Sequence, residues 1–193
     1  MTIVFYLVLA LAFSIADMLL LHRCTQSASI RLTRGLGVAL LIASVQTSLF
    51  LLGQWTGNLL RFELPDNPNA FTTANTLVFI GLDLFVVLRM LSPYLRKKAV
   101  LPEFNLDSNQ AVAALGFASG INLLLLGLGC GFIRLVYIDF HAALWPLLIL
   151  TMLASYWGIM LGRRSITLRP KRWMLFASLL LAGLAVAALL QLR

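Results

Sequence analysis

Two aspartates lie inside long apolar stretches of this chain. Asp17 follows Ser14 by one helical turn in the first stretch, so hydroxyl and carboxylate project from one side of a helix, and Asp83 lies near the middle of the third stretch. A carboxylate at the centre of a bilayer costs roughly 2.5–3.5 kcal/mol on insertion scales and normally faces the protein interior or a water-filled path. The two aspartates are therefore candidates for an ion or substrate pathway.

Neutral polar side chains accompany the aspartates. Gln46 lies in the second apolar stretch and Asn122 in the fourth, so that four helices are expected to direct oxygen atoms toward a similar depth. A structural interpretation is also open for the two amides, because amides hydrogen-bond between membrane helices with a contribution of about 0.6 to 2 kcal/mol. For Asp17 the functional interpretation is favoured.

The composition places these residues in a membrane. Of the 193 residues, 61% are hydrophobic and 11% are charged, which exceeds the apolar share of soluble domains. We predict an all-α integral membrane protein whose six transmembrane helices lie near residues 3–21, 36–57, 71–91, 110–132, 141–162 and 174–191. The short connections leave no room for a soluble catalytic domain, and the sequence contains no hydrolase, redox or phosphate-binding motif. We therefore expect neither an enzyme nor a cofactor.

The net charge of +8 reflects membrane topology. Most of the fifteen basic residues lie in the loops after spans 1, 3 and 5: Arg23, Arg31, Arg34, Arg96, Lys97, Lys98, Arg163, Arg164, Arg169, Lys171 and Arg172. By the positive-inside rule these loops face the cytoplasm and both termini lie on the outer side. The lipid bilayer is thus the expected partner, no nucleic acid is expected, and a homo-oligomer remains open.

The two halves of the chain share landmarks at an offset of 105 residues. The matched pairs are Ser14 with Ser119, Asp17 with Asn122, Gly53 with Gly158, and Gly57 with Gly162. When each repeat crosses the membrane an odd number of times, two consecutive repeats face opposite ways. Such inverted repeats are the architecture of many secondary transporters. We predict one domain, 1–193, with repeat one at about 1–91, a linker at 92–109 and repeat two at about 110–193. Pro93 is expected to end the third helix.

The order of short motifs resembles the bacterial manganese efflux pump family of the MntP type, within the lysine-exporter-like transporters. The similar segments are Phe13-Ser-Ile-Ala-Asp17, Arg34 to Thr47, Gly53-Gln-Trp-Thr-Gly57, Arg89-Met-Leu91, Ser119-Gly-Ile-Asn122 and Leu161-Gly-Arg163. The resemblance implies a six-span protein of the bacterial inner membrane that exports Mn²⁺ along a carboxylate-lined path. Two family carboxylates are replaced by Gln46 and Asn122 here, and the serine before Asp17 is three positions away instead of two.

The resemblance also implies a ligand set. Mn²⁺ accepts carboxylate, carbonyl and water oxygens in roughly octahedral geometry, so amide oxygens also qualify. Asp17 is expected to be the principal ligand, because a divalent ion in a low-dielectric interior needs compensating negative charge. The remaining candidate ligands or gates are Ser14, Gln46, Asp83, Ser119 and Asn122. Transport would proceed by alternating access of the two inverted repeats.

Two other functions remain open. The loss of two family carboxylates suggests a transporter for a monovalent cation or a small organic solute. A membrane partner protein that does not transport would keep the helical scaffold for packing alone. The second alternative predicts that Asp17→Asn and Asp83→Asn are harmless, whereas bulky replacements at Gly53 or Gly158 destroy assembly.

Overall fold

The computed structural model describes residues 2–25, 30–60, 68–95, 106–133, 140–164, 166 and 168–190. Within these ranges the secondary structure is entirely helical, without strands: α1 (Thr2–Thr25), α2 (Leu32–Leu60), α3 (Pro68–Leu95), α4 (Asn109–Phe132), α5 (Phe140–Arg163) and α6 (Pro170–Leu190). Each helix is long and apolar enough to cross a membrane. The prediction of an all-α fold with six candidate spans is confirmed for the described residues.

The helix ends differ from the predicted ones in one instructive place. Helix α3 continues through Pro93 to Leu95, so the prediction that Pro93 ends it is wrong. A proline removes one backbone hydrogen bond but does not prevent the chain from keeping helical dihedral angles, and membrane helices tolerate this when neighbouring groups satisfy the freed carbonyl. The predicted linker 92–109 is described at 92–95, where it belongs to α3, and again from Leu106. The Ser108 side chain caps α4 by accepting from the backbone N–H of Ala111.

The helices are interleaved across the midpoint of the chain. The two most extensive pairings are α2 with α4 and α1 with α5, and smaller ones join α2 with α5, α1 with α6, α3 with α6 and α3 with α4. Over the described ranges, every pair in substantial contact joins one of the first three helices to one of the last three. The first and second halves of the chain therefore depend on each other for their packing.

Glycines allow the helices of the two most extensive pairs to approach each other very closely. A β-carbon at Gly53 would collide with the carbonyl oxygen of Leu124 in α4, and one at Gly158 would collide with the carbonyl oxygen of Met18 in α1. One turn further along, Gly57 and Gly162 approach α4 and α1 in the same way. Small residues at four-residue spacing permit this backbone contact in membrane helices. We call α1 with α5 and α2 with α4 the two glycine-packed pairs.

Polar contacts connect loop segments to the helices on the side of the basic loops. Arg34, in the first turn of α2, donates to the carbonyl oxygens of Leu106 and Asp107 and to Oδ1 of Asn109, at 2.6 to 3.1 Å. At the end of α1, the buried His22 places its Nε2 2.6 Å from the carbonyl oxygen of Ile166. The outward faces of the helices carry exposed apolar side chains, as expected of a surface in contact with lipid.

Candidate cation-binding site

One glutamine joins three helices in the interior. Gln46 of α2 donates through Nε2 to Asp17 Oδ1 of α1 at 2.8 Å and to Ser119 Oγ of α4 at 2.6 Å. Ser119 in turn donates to the carbonyl oxygen of Gly116 at 3.2 Å. Asp17 is 4% exposed and Gln46 is 1% exposed, so the contacts are made away from solvent. The structure thus brings together three of the six predicted site residues.

The orientation of Gln46 follows from the chemistry of its neighbour. A carboxylate oxygen accepts hydrogen bonds, and Gln46 turns its NH₂ group toward Asp17 Oδ1. The amide oxygen then points elsewhere. Gln46 Oε1 and Asp17 Oδ2 are buried and have no hydrogen-bond partner among the described residues. We call such atoms open oxygens, meaning buried side-chain oxygens without a partner in the described part of the chain.

A second group of open oxygens lies between α1 and α5. Met18 packs on Gly158, and Ser14 and Ser155 lie one turn before these two residues on the respective helices. Because α1 and α5 run in the same direction, Ser14 and Ser155 occupy opposed positions in the interface. Both hydroxyls are open oxygens, as is the hydroxyl of Thr151, which lies one turn before Ser155 in α5. Thr151 and Ser155 lie on the α5 face that packs against α1, the helix of Asp17.

Asn122 extends the group on the α4 side. It follows Ser119 by one helical turn, so the two side chains lie on one side of α4. Its Oδ1 is an open oxygen, although the residue as a whole is only partly buried. Thr47, next to Gln46 on α2, supplies another. Open oxygens therefore occur on α1, α2, α4 and α5, and Gln46 joins three of these helices at Asp17 and Ser119.

Asp83 lies outside this group. It is fully buried on α3, and both of its carboxylate oxygens are open oxygens. The rings of Phe5 and Phe79, 5.9 Å apart, align α1 with α3. Two helices separated by one further span cross a membrane in the same direction, as α1 and α3 do if all six candidate spans cross. Asp17 lies twelve residues after Phe5 and Asp83 only four after Phe79, which then separates the two aspartates by roughly 12 Å along the helix axes. Asp83 is instead a neighbour of the Cys130 thiol near the C-terminal end of α4.

Sequence reasoning did not single out Ser155. This fully buried serine lies on the same face of α5 as Thr151, Gly158 and Gly162, at spacings of three or four residues. The glycine face was recognisable in the sequence, and a serine on it is the signal that was available. Asn75 of α3 was also not predicted, and both polar atoms of its buried side chain lack a partner within the described ranges.

The chemistry of these side chains suits a small hard cation. They supply a carboxylate, amide oxygens and hydroxyls, the ligands preferred by Mn²⁺, Mg²⁺ and Ca²⁺ and also suited to monovalent ions. No cluster of three or more His, Cys, Asp or Glu side chains occurs in the described segments. Asp17 is thus the charged centre, and the surrounding donors are neutral.

Comparisons with protein-family models, with curated proteins and with solved structures gave no match. The resemblance to manganese efflux pumps therefore stays a prediction from short motifs. The geometry around Asp17 is the basis on which a function can be proposed.

Proposed function

We propose that this protein is a secondary transporter that exports a small cation, with Mn²⁺ or a related divalent ion as the leading substrate. The single observation that carries the proposal is the buried contact of Gln46 with Asp17 and Ser119, in which Asp17 Oδ2 and Gln46 Oε1 remain open oxygens. A buried polar group that lacks a partner costs about 1–3 kcal/mol. The open oxygens of Asp17 and Gln46, and those on the helices packed against them, are explained if a cation or its water contacts them during the transport cycle.

The packing supports alternating access. Asp17 belongs to the glycine-packed pair α1 with α5, whereas Gln46 and Ser119 belong to the pair α2 with α4. The hydrogen bond from Gln46 to Asp17 therefore crosses from one pair to the other. Movement of the two pairs against each other would open and close the site while each pair keeps its internal backbone contacts. A cation bound to Asp17 would replace the Gln46 donor on this carboxylate.

The contact pattern supports the inverted repeat. Exchanging α1 with α4, α2 with α5 and α3 with α6 converts the α2–α4 pairing into α5–α1 and the α1–α6 pairing into α4–α3, and it leaves the α2–α5 and α3–α6 pairings in place. The whole set of substantial contacts is unchanged by this exchange. Matched glycines also make matched contacts, since Gly53 approaches Leu124 and Gly158 approaches Met18, which corresponds to Leu123 at the 105-residue offset.

The membrane setting proposed for the chain is the bacterial inner membrane with both termini outside. The six candidate spans are consistent with this placement. The loops rich in arginine and lysine then face the cytoplasm, as the positive-inside rule requires. In this orientation Gly162 of α5 contacts the end of α1 at the cytoplasmic side of the membrane. A cation would enter from that side and leave toward the outer ends of the helices.

A flux measurement tests the proposal. The purified protein is reconstituted into liposomes that contain a Mn²⁺-sensitive dye, and Mn²⁺ entry is followed for the wild type, Asp17→Asn and the matched control Asp107→Asn, an exposed aspartate before α4. We expect flux in the wild type and in the control, and at least about a tenfold loss in Asp17→Asn. Expression in bacteria that lack their own manganese exporter should give the same ranking. Absence of wild-type flux at verified insertion would reject manganese transport.

A monovalent cation or a small organic solute is the second candidate substrate. It is favoured by the distance of Asp83 from Asp17, because one carboxylate does not neutralise a divalent ion. Calorimetry on the purified protein separates the two candidates. Heat of Mn²⁺ binding that disappears in Asp17→Asn supports the divalent substrate, and flux of another solute without any Mn²⁺ heat supports the second.

A further inference from the structure

The first two turns of α6 carry charge and aromatic surface on one face. Arg169 precedes the helix, and Arg172, Trp173 and Phe176 follow at spacings that return to the same side. These four residues and Leu168 line a depression of about 520 Å³. All four side chains on this face are exposed, with Trp173 at 43% and Phe176 at 48%. The depression is therefore cationic at one end and aromatic at the other.

The depression continues into the membrane-facing surface of α6. Beyond Phe176 the same flank carries Leu179, which is 70% exposed, and then Gly183. A β-carbon added at Gly183 would meet nothing within 4 Å among the described atoms, so this part of the flank is an open, smooth strip. The buried face of α6 lies on another side and includes Met174 and Leu181. A long apolar chain can thus lie along α6 below the arginines.

The charges on this flank are not compensated within α6. The segment Leu168–Leu190 contains Arg169, Lys171 and Arg172 and no acidic residue. The positive end of the helix macrodipole adds to the same potential, because the arginines stand at the N-terminus of α6. Basic pockets at the membrane surface on the side of the basic loops are suited to anionic lipid headgroups, and each Arg or Lys near an anionic surface contributes about a tenfold or smaller gain in affinity.

We propose that this face of α6 binds an anionic phospholipid, with its phosphate held between Arg169 and Arg172. Its glycerol region packs on Trp173, and one acyl chain lies along Phe176, Leu179 and Gly183. An amphipathic ligand fits better than a soluble anion because the charged end of the depression is continuous with an apolar strip inside the candidate span Pro170–Leu190. None of the residues that line the depression belongs to the group around Gln46, so this proposal does not depend on the transport proposal.

Fluorescence quenching by brominated lipid measures binding at this place. Trp55, Trp145 and Trp157 are exposed, so they can be replaced by Phe without entering the core, which leaves Trp173 as the reporter. The protein is reconstituted in phosphatidylcholine vesicles, and phosphatidylglycerol or phosphatidylcholine with brominated acyl chains is titrated. We expect phosphatidylglycerol to be preferred about tenfold, and the preference to weaken at high salt. The helical content and melting temperature of the reporter protein are checked first.

A pair of double variants decides whether the preference belongs to this site. Arg169→Gln with Arg172→Gln should reduce the preference to less than twofold. Arg163→Gln with Arg164→Gln removes the same charge from exposed residues outside the depression and should leave it nearly unchanged. Equal loss in both double variants, a wild type without preference, or competition by free glycerol phosphate as strong as that by the lipid would each overturn the proposal. All of these side chains are exposed, so the folded state should tolerate their replacement.

Discussion

Gln46 donates a 2.8 Å hydrogen bond to Asp17 across the boundary between the two glycine-packed pairs. The bond joins α2 to α1, two helices that are not among the extensively packed pairs of the described structure. The same amide nitrogen also holds Ser119, its neighbour within the α2–α4 pair. Gln46 is therefore a polar bridge that a bound cation would compete with, and its replacement gives the sharpest information about the site.

Gln46→Glu places a second carboxylate next to Asp17. If the site takes a divalent cation, the added charge should raise Mn²⁺ affinity by about tenfold or more, since one further negative charge lies at contact distance from the ion. Isothermal titration calorimetry measures the change. The control is Gln54→Glu, which adds the same charge on α2 two turns away, beside Tyr6. Unchanged or weaker Mn²⁺ binding in a folded Gln46→Glu protein would contradict a divalent site.

Asp83→Asn should separate Asp83 from the cation site. Both carboxylate oxygens of Asp83 are open oxygens in a fully buried side chain, so removal of the charge should stabilise the protein by about 1 kcal/mol or more. Cation affinity at Asp17 should change by less than about twofold, because roughly 12 Å separates the two aspartates along the helices. Thermal unfolding in detergent and calorimetry provide the two measurements. A loss of affinity comparable to that of Asp17→Asn would instead make Asp83 a ligand.

Gly53→Ala should be destabilising where Gly37→Ala is not. The new methyl group at Gly53 would meet the backbone of Leu124, which cannot move without separating α2 from α4, and overpacking of this kind costs about 1–3 kcal/mol. At Gly37 nothing lies within 4 Å of the added carbon among the described atoms, so Ala should be neutral or stabilise by about 0.5–1 kcal/mol through its helix propensity. Melting temperatures in one detergent compare the two. Equal effects would refute the close backbone contact.

Arg34→Ala tests the connection between α2 and the start of α4. Three hydrogen bonds from the Arg34 guanidinium hold Leu106, Asp107 and Asn109, and their loss should cost about 1–3 kcal/mol. Arg31→Ala removes an exposed arginine just before α2 and serves as the control. Limited proteolysis between α3 and α4 should become faster only in Arg34→Ala. Identical cleavage rates in both variants would show that these bonds contribute nothing to the stability of this region.

The features that could be predicted from the sequence are those that depend on the residue pattern of a single helix. Apolar length predicted the six helices, and the one-turn spacing of Ser14 and Asp17 predicted a shared helix side without any knowledge of neighbours. The expectation that Asp83 and Asp17 lie at a common depth could not be tested within one helix, because it depends on the position of α3 along the bundle. The packing of Phe79 against Phe5 and Gly129 sets that position, and no single helix encodes it.

The partners of each polar side chain were also beyond prediction from single helices. Gln46 was expected near Asp17 in depth, but the pairing of Nε2 with both Asp17 and Ser119 requires α1, α2 and α4 to meet at one point. Ser155 was missed because a serine in an apolar helix is common and acquires meaning only opposite Ser14. Pro93 misled the prediction of a helix end, since membrane helices accommodate proline more readily than the general rule suggests.

The interleaving of the helices determines how this protein can be made. Over the described ranges, α1, α2 and α3 have their substantial contacts with α4, α5 and α6 and not with each other. We therefore expect the first three helices to pack stably only after the second half has been inserted. The two halves expressed as separate chains should be unstable alone and should assemble when produced together. Because Ser119 belongs to the second half, the contact of Gln46 with both Asp17 and Ser119 can form only after that assembly.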